Sequence, residues 1–307
     1  MTQTIYQPVI AVTGATGAQG GATARALLRH GSRVRALTRR PSSTAAEELR
    51  RLGAEVAYAD FDDRAGLDAA LAGVDALFAM STRYGGDTGR GAGNDTGDDT
   101  DTEVRQAVAL LDAAAASGTV RHIVFTSAAN ADRGTGIPHF DTKHQVELRL
   151  RKLGIPWTVI APGLFMDNYT GEWTLSGLRE GRFALPLPAD LALPFIPAAD
   201  IGAFAALVLR DPEKFAGRRI DLASDRVTCS EIAGILSAVC GRPIEFTQVP
   251  LARIEAHSAD LAAMFRYFTA SGLNVDVEGL RRDHPEVGWQ RFADWAGAQS
   301  WDLTPAR

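Results

Sequence analysis

Short apolar runs rich in β-branched residues recur through the first half of the chain, at 9–12, 34–37, 56–59, 76–80, 123–126 and 157–161. The stretches between them, 17–30, 43–52, 64–72, 102–117 and 139–153, bring an apolar residue back every three or four positions on otherwise polar faces. The first pattern marks strands and the second amphipathic helices. Strands apolar on both faces and separated by helices predict a parallel sheet covered on both sides, an α/β fold of doubly wound type.

After Pro162 the pattern changes, and Pro186, Pro188, Pro194 and Pro197 punctuate shorter elements. Thr228-Cys229-Ser230-Glu231 is a capping box that opens a further helix, and Gly241 stops it. Residues 1–160 therefore read as one domain and 161–307 as a smaller α/β lobe with segments returning to the sheet. No internal repeat is present. One stretch breaks the composition: YGGDTGRGAGNDTGDDTDT, residues 84–102, carries almost no apolar side chain to offset the entropy of ordering, which predicts a mobile loop. Following the fourth strand, it leaves the carboxyl edge of the sheet and is placed to act as a flap. Calcium binding is the weaker reading, because neither EF-hand spacing nor a Gly-Asp array occurs.

The composition, 46% hydrophobic and 22% charged over 307 residues, is that of a globular protein. A formal net charge of −5 with scattered acids and bases offers no basic stripe to nucleic acid. The N-terminus lacks a basic n-region and a long apolar core, and no run approaches a membrane span, so the expectation is a soluble, cytoplasmic protein. Cys229 and Cys240 fall on one helix and suit reduced thiols better than a disulfide or a metal site.

Thr13 to Gly21 reads TGATGAQGG, between the first strand and the first helix. The spacing of Gly14, Gly17 and Gly20 says little alone, but a strand entering and a helix leaving present backbone amides and a positive dipole end, as a pyrophosphate requires. Gly14, Thr16, Gly17, Ala18, Gln19 and Gly20 are the expected contacts of a dinucleotide. The second strand ends in Thr38-Arg39-Arg40, where an acid would select NAD; Arg39 suits the 2′-phosphate of NADP, whereas Arg40 reads as a solvated residue. After the third strand, Asp60 fits a bond from the adenine amino group and Phe61 a contact with its ring; a turn or N-cap role for Asp60 and Asp62 fits equally. NADP(H), preferred over NAD(H), is the expected cofactor.

VTGATGAQGG, TRRP, the acids at 60–63, the strand HIVFTSA, the helix holding Lys143 and the segment IAPGLFMDNY together resemble the NmrA-like group of atypical short-chain dehydrogenases. The resemblance spans nearly the whole chain and implies an NADP-binding Rossmann-type sheet with a small C-terminal lobe. Dehydrogenases of that wider class use Tyr-x-x-x-Lys with a serine; here His139-Phe140-Asp141-Thr142-Lys143 puts histidine where tyrosine would stand. The resemblance gives Lys143 a role at the nicotinamide ribose and the acceptor, against a solvated lysine. His139 reads as a substitute acid or as a residue at the helix start, and Ser127 as a cofactor or substrate contact or a packed strand-end serine. Met80 and Thr82 are expected to position the cofactor backbone.

Phe165, Met166, Tyr169 and Trp173 follow the sixth strand and offer apolar and aromatic surface to a substrate, or else join the core. No nucleophile elbow, zinc spacing or phosphate-binding loop with lysine competes, and no metal is expected. Two readings remain. One is an NADPH-dependent oxidoreductase passing hydride to a small hydrophobic quinone or aromatic carbonyl compound; the other is a non-catalytic NADP(H) sensor with a regulatory protein partner. A homodimer is compatible with both.

Overall fold

The computed structural model describes residues 7–81 and 99–303. Its first half runs β1 (Val9–Val12), α1 (Ala18–Arg29), β2 (Arg33–Thr38), α2 (Thr44–Arg51), β3 (Glu55–Tyr58), α3 (Arg64–Leu71), β4 (Ala76–Met80), α4 (Asp99–Ala116), β5 (His122–Thr126), α5 (Pro138–Leu150) and β6 (Trp157–Pro162). Its second half runs β7 (Leu164–Phe165), α6 (Glu172–Arg179), β8 (Arg182–Leu185), β9 (Ala192–Ile196), α7 (Ala198–Arg210), α8 (Pro212–Phe215), β10 (Arg218–Leu222), β11 (Asp225–Thr228), α9 (Cys229–Cys240), β12 (Glu245–Gln248), α10 (Leu251–Glu255), α11 (Ala259–Ser271), α12 (Val277–Asp283) and α13 (Phe292–Gly297). Thr82, residues 84–98 of the polar stretch and the first six residues lie outside the described residues. Residues 99–102, expected as the end of a loop, instead open α4. Acidic residues such as Asp101 suit the positive end of a helix, a signal that apolar periodicity does not carry.

Among the described residues one sheet takes seven strands in the order β10-β6-β5-β4-β1-β2-β3. Every neighbouring pair in it is parallel. This is the doubly wound Rossmann order with β10, from the second half of the chain, added beyond β6. The order reverses between β1 and β4, which leaves a crevice at the strands' carboxyl ends. Alternate residues of each strand face opposite layers. Ile10, Val12, Phe78, Val124 and Ile160 pack with Leu27 of α1 and Phe204 of α7. Ala11, Leu77, Ala79, Ile123 and Phe125 pack with Leu67 of α3 and Leu110 of α4.

Glycine sets the spacing of the first layer. A Cβ on Gly202 of α7 would stand 2.7 Å from the Ala22 carbonyl oxygen and the Thr23 nitrogen of α1, so only a bare backbone lets the two helices meet. The smaller lobe holds β11-β9-β7 and the pair β12-β8. Tyr169, Phe183, Phe195 and Phe292 form an aromatic cluster at its centre. The capping box of Thr228 and Glu231 opens α9, and Gly241, at φ 64°, closes it. Cys229 and Cys240 are free thiols, and burial pushes the Cys229 thiol up to about 11. No helix among the described residues is long and apolar enough to cross a membrane.

His122, at the start of β5, is only 3% exposed. The Thr158 hydroxyl donates to the Phe215 carbonyl at 2.9 Å, so His122 Nε2, 2.9 Å away, donates to Thr158 and its Nδ1 is left buried without a partner. Burial pushes this imidazole from 6.5 down to about 4. Between those values the unfolded chain binds a proton that the folded chain refuses, so stability rises with pH across the window, by up to about 3 kcal/mol. Urea unfolding of the wild type and of His122→Leu from pH 4 to 7 checks this. The wild-type midpoint should fall more steeply towards acid, and parallel curves would clear His122 of the effect.

Candidate functional site

The turn after β1 is fastened before it meets any ligand. The Thr13 hydroxyl donates to the Phe78 carbonyl at 3.1 Å and accepts the Met80 N–H at 2.9 Å, locking the end of β1 to the end of β4. Gly14 turns the chain with φ +59°, and a Cβ there would run into the Met80 sulfur. The Gly17 N–H donates back to the Gly14 carbonyl at 2.9 Å. Gly20 lies against the Thr13 and Gly14 carbonyl oxygens, where a Cβ has no room. No side chain caps α1 and its first turn holds no acid, so its unbonded N–H groups and positive dipole end meet the crevice. The Gln19 side-chain oxygen accepts from the Thr126 hydroxyl at 2.8 Å, which ties this helix start to the end of β5.

A cavity of about 240 Å³ opens beside the turn. Thr13, Gly14, Thr16 and Gly17 form one wall, Leu37 to Arg40 and Ala59 to Phe61 the next, and Met80 and Gln106 the last. It collects the carboxyl ends of β1, β2, β3 and β4, the place the strand order assigns to a ligand. Asp60 accepts the Asp62 N–H at 3.0 Å, a turn-building bond. Asp62 is held by Arg105 and by Gln106 Nε2 at 2.7 Å, and the bond from Arg105 keeps its carboxyl below the ordinary range. A larger hollow of about 540 Å³ lies in the smaller lobe, where Gln248, Pro250, Arg266 and Thr269 line it, but these side chains are exposed and Arg266 is paired with Glu255.

Next to the cavity lies a buried charge that the sequence did not announce. Glu103, 1% exposed, sits one helical turn before Gln106; Ser81 directly follows Met80. Lys143 Nζ donates to Glu103 Oε1 at 2.9 Å and to Ser81 Oγ at 3.3 Å, Ser81 donates to the same carboxylate oxygen at 2.7 Å, and Thr142 Oγ1 is 3.1 Å from Oε2. Burial opposes ionisation of Glu103, but the Lys143 ammonium and these hydrogen bonds outweigh it and hold the carboxyl below its ordinary value. Lys143 is thus pinned as half of an ion pair rather than spread over the surface, its partners Ser81 and Glu103 lying one residue and one helical turn from Met80 and Gln106 of the cavity lining. Glu103 stands just beyond the polar stretch; only its helical spacing from Gln106 could have marked it.

The remaining expected residues separate. Ser127 donates to the fully buried Glu147 at 2.5 Å, and Glu147 also takes Arg219 at 3.1 Å, so this serine belongs to an ion-pair network beneath the edge of the sheet. His139 Nδ1 lies 2.6 Å from Asp260 Oδ2. Met166 and Tyr169 do not line a surface: Met166 is fully buried and Tyr169 packs edge-on against Phe183 with ring centroids 5.3 Å apart. Their apolar size suits the core of the smaller lobe, and burial drives the Tyr169 phenol far above its ordinary value. Phe165 is half-buried, and Trp173 is 55% exposed. Among the described residues no group of three or more His, Cys, Asp or Glu side chains could hold a metal ion.

The model of the NmrA-like family matches residues 7–295. A (4-alkanoyl-5-oxo-2,5-dihydrofuran-3-yl)methyl phosphate reductase from Streptomyces griseus is 32% identical over 243 residues, covering 78% of this chain and 77% of the relative. The Escherichia coli NADPH-dependent quinone oxidoreductase, solved with NADPH, superposes with a TM-score of 0.75 at 25% identity, over 94% of this chain and 98% of that one. The negative transcriptional regulator NmrA, solved with NAD, superposes with a TM-score of 0.78 at 22% identity over 95% of each chain, a likeness of fold.

Glu103→Gln should cost about 3 kcal/mol, because it leaves the Lys143 ammonium beside a neutral partner in a buried site. The double variant Glu103→Gln, Lys143→Met should lose less than the two single losses added, and urea unfolding of all four proteins measures the coupling. Additive losses would mean that the pair carries no energy of its own.

Proposed function

Since the chain belongs to the NmrA-like family, we propose that it is an NADPH-dependent oxidoreductase that reduces a small hydrophobic acceptor, a quinone or an aromatic carbonyl compound. The observation that carries the reading is the glycine cradle opening on a cavity whose β2 wall ends in Arg39 and Arg40. Gly14 makes the tight turn and Gly20 lets α1 start hard against the end of β1, so the start of α1 offers its amides and positive potential to a pyrophosphate. Arg39 brings a guanidinium to the ribose side of the cavity, where its charge suits a 2′-phosphate. Asp60 and Phe61 line the cavity where the adenine would lie, and Met80 lines it where the chain of the cofactor would lead towards the nicotinamide.

Bound NADPH would supply the hydride; the chain positions it and the acceptor. Lys143, held by Glu103 and Ser81, presents an ammonium where a reduced acceptor oxygen gains negative charge. Its fixed position means little reorganisation is needed as that charge appears. Of the four apolar residues expected to meet a substrate after β6, Phe165 and Trp173 keep exposed surface. The reductases among the relatives support this class of reaction.

The direct test follows nicotinamide absorbance with purified protein, NADPH or NADH, and a panel of quinones, aromatic carbonyls and dyes. Acceptor-dependent oxidation faster with NADPH is expected; tight NADPH binding with no acceptor reduced would favour a sensor. Arg39→Asp should shift the ratio of NADP to NAD affinity towards NAD by about 10- to 100-fold, the worth of one or two charge-assisted bonds. An unchanged ratio would refute the assignment of Arg39. Lys143→Ala should lower kcat by about 100-fold while the Kd for NADPH changes little. Equal turnover in both proteins would remove the lysine from the reaction.

A further inference from the structure

Hydride added to a carbonyl or quinone leaves an oxyanion that must take a proton. Resting on the reductase reading above, we propose that His139 donates this proton and that Asp260, reaching in from α11 of the smaller lobe, is its positioning residue.

Asp260 grips His139 at two points. Its Oδ2 lies 2.6 Å from the ring Nδ1, and its Oδ1 accepts the His139 backbone N–H at 3.0 Å. The carboxylate is 4% exposed, whereas the histidine side chain keeps 20% of its surface open. A buried carboxylate on Nδ1 keeps the hydrogen of the neutral ring on that nitrogen, so Nε2 is the nitrogen that exchanges a proton. The ring is braced further by Phe140, edge-on at 4.8 Å between centroids, and Phe140 in turn meets Phe268 of α11 at 6.4 Å.

The dyad stands at the correct edge of the sheet. In a parallel sheet the helix after β5 begins at the carboxyl edge, and His139 is in its first turn. It shares a helix face with Lys143 four residues on. The Thr142 hydroxyl is 3.1 Å both from the His139 carbonyl and from Glu103 Oε2, so the dyad and the Lys143 pair adjoin. Among the described residues, other charged groups on the elements packed against α5 include Glu103 of α4, paired with Lys143, Arg105 of α4, paired with Asp62, Arg266 of α11, paired with Glu255, and Asp132 and Arg133 of the short turn before α5, Asp132 lying 3.3 Å from Arg219. Asp260 is the acid in contact with the ring.

In the step, the acceptor takes hydride, with its two electrons, from the reduced nicotinamide. The Nε2–H bond of the protonated imidazole breaks as the acceptor O–H bond forms, giving an alcohol or hydroquinone and oxidised nicotinamide. Water then returns a proton to the neutral ring.

Two readouts on the full chain test the proposal. In the ligand-free protein at alkaline pH, histidine nitrogen NMR should find His139 as the Nδ1–H tautomer, and Asp260→Asn should move it towards Nε2–H. With NADPH and the best acceptor of the panel, His139→Gln and Asp260→Asn should each lower kcat by about 100-fold with little change in acceptor KM, and added imidazole should restore part of the turnover of His139→Ala. An unchanged tautomer in Asp260→Asn, or unchanged kcat in both variants of a protein that turns over, would overturn the dyad alone and leave Asp260 as a tie between α11 and α5. A wild type that binds NADPH and reduces nothing in the panel would overturn the reductase reading, and the donor role with it.

Discussion

The close contact between Gly20 and the carbonyls of Thr13 and Gly14 governs the rest of the molecule. It lets α1 start hard against the end of β1, which points the helix amides into the crevice between β1 and β4. Gly202 repeats the constraint on the outer side, where α7 presses bare backbone onto α1 at Ala22. The helix that would cradle a pyrophosphate is therefore held from both sides by contacts that tolerate no side chain. Thr13 completes the arrangement by bonding β1 to β4 at the point where their ends must separate around a ligand.

Polar contacts gather along the carboxyl edge of the sheet and beneath it. Glu103 joins α4, β4 and α5; Glu147 joins β5, α5 and β10; Asp260 joins α11 to α5. Each carboxylate is buried and each crosses between elements distant in sequence. Such groups are costly to leave unpaired, so each specifies one arrangement of its elements. The helix α5 receives all three and so fixes His139 and Lys143 relative to the strands.

Much of this was legible in the chain because it follows from local rules. The six strands of the first half appear within a residue or two of their apolar runs, and the capping box at Thr228 with its closing Gly241 lies where its pattern put it. The glycine turn could be read because strand, glycines and helix are contiguous. What escaped depends on tertiary pairing. Glu103 lies on an ordinary-looking helix face, and nothing local says that Lys143 will reach it from forty residues away. Asp260 is separated from His139 by 121 residues. Met166 and Tyr169 show the converse: apolar residues after a strand end suit a pocket or a core, and only the surrounding Phe183, Phe195 and Phe292 decide for the core. The start of α4 was missed because its first turn is acidic rather than apolar.

The seventh strand of the sheet has a consequence for how the chain can be divided. β10 lies beside β6 with five residues in register, and α7, just before it in sequence, covers α1. A fragment stopping at the end of β6 would carry every strand that borders the cavity, yet it would lack the cover of α1 and would expose the hydrogen-bonding edge of β6, an invitation to intermolecular pairing. The nucleotide-binding half is thus not an excisable cassette. An insertion, a fusion or a transplanted lobe must respect the return of the chain at residues 198–222, because the two halves share one sheet.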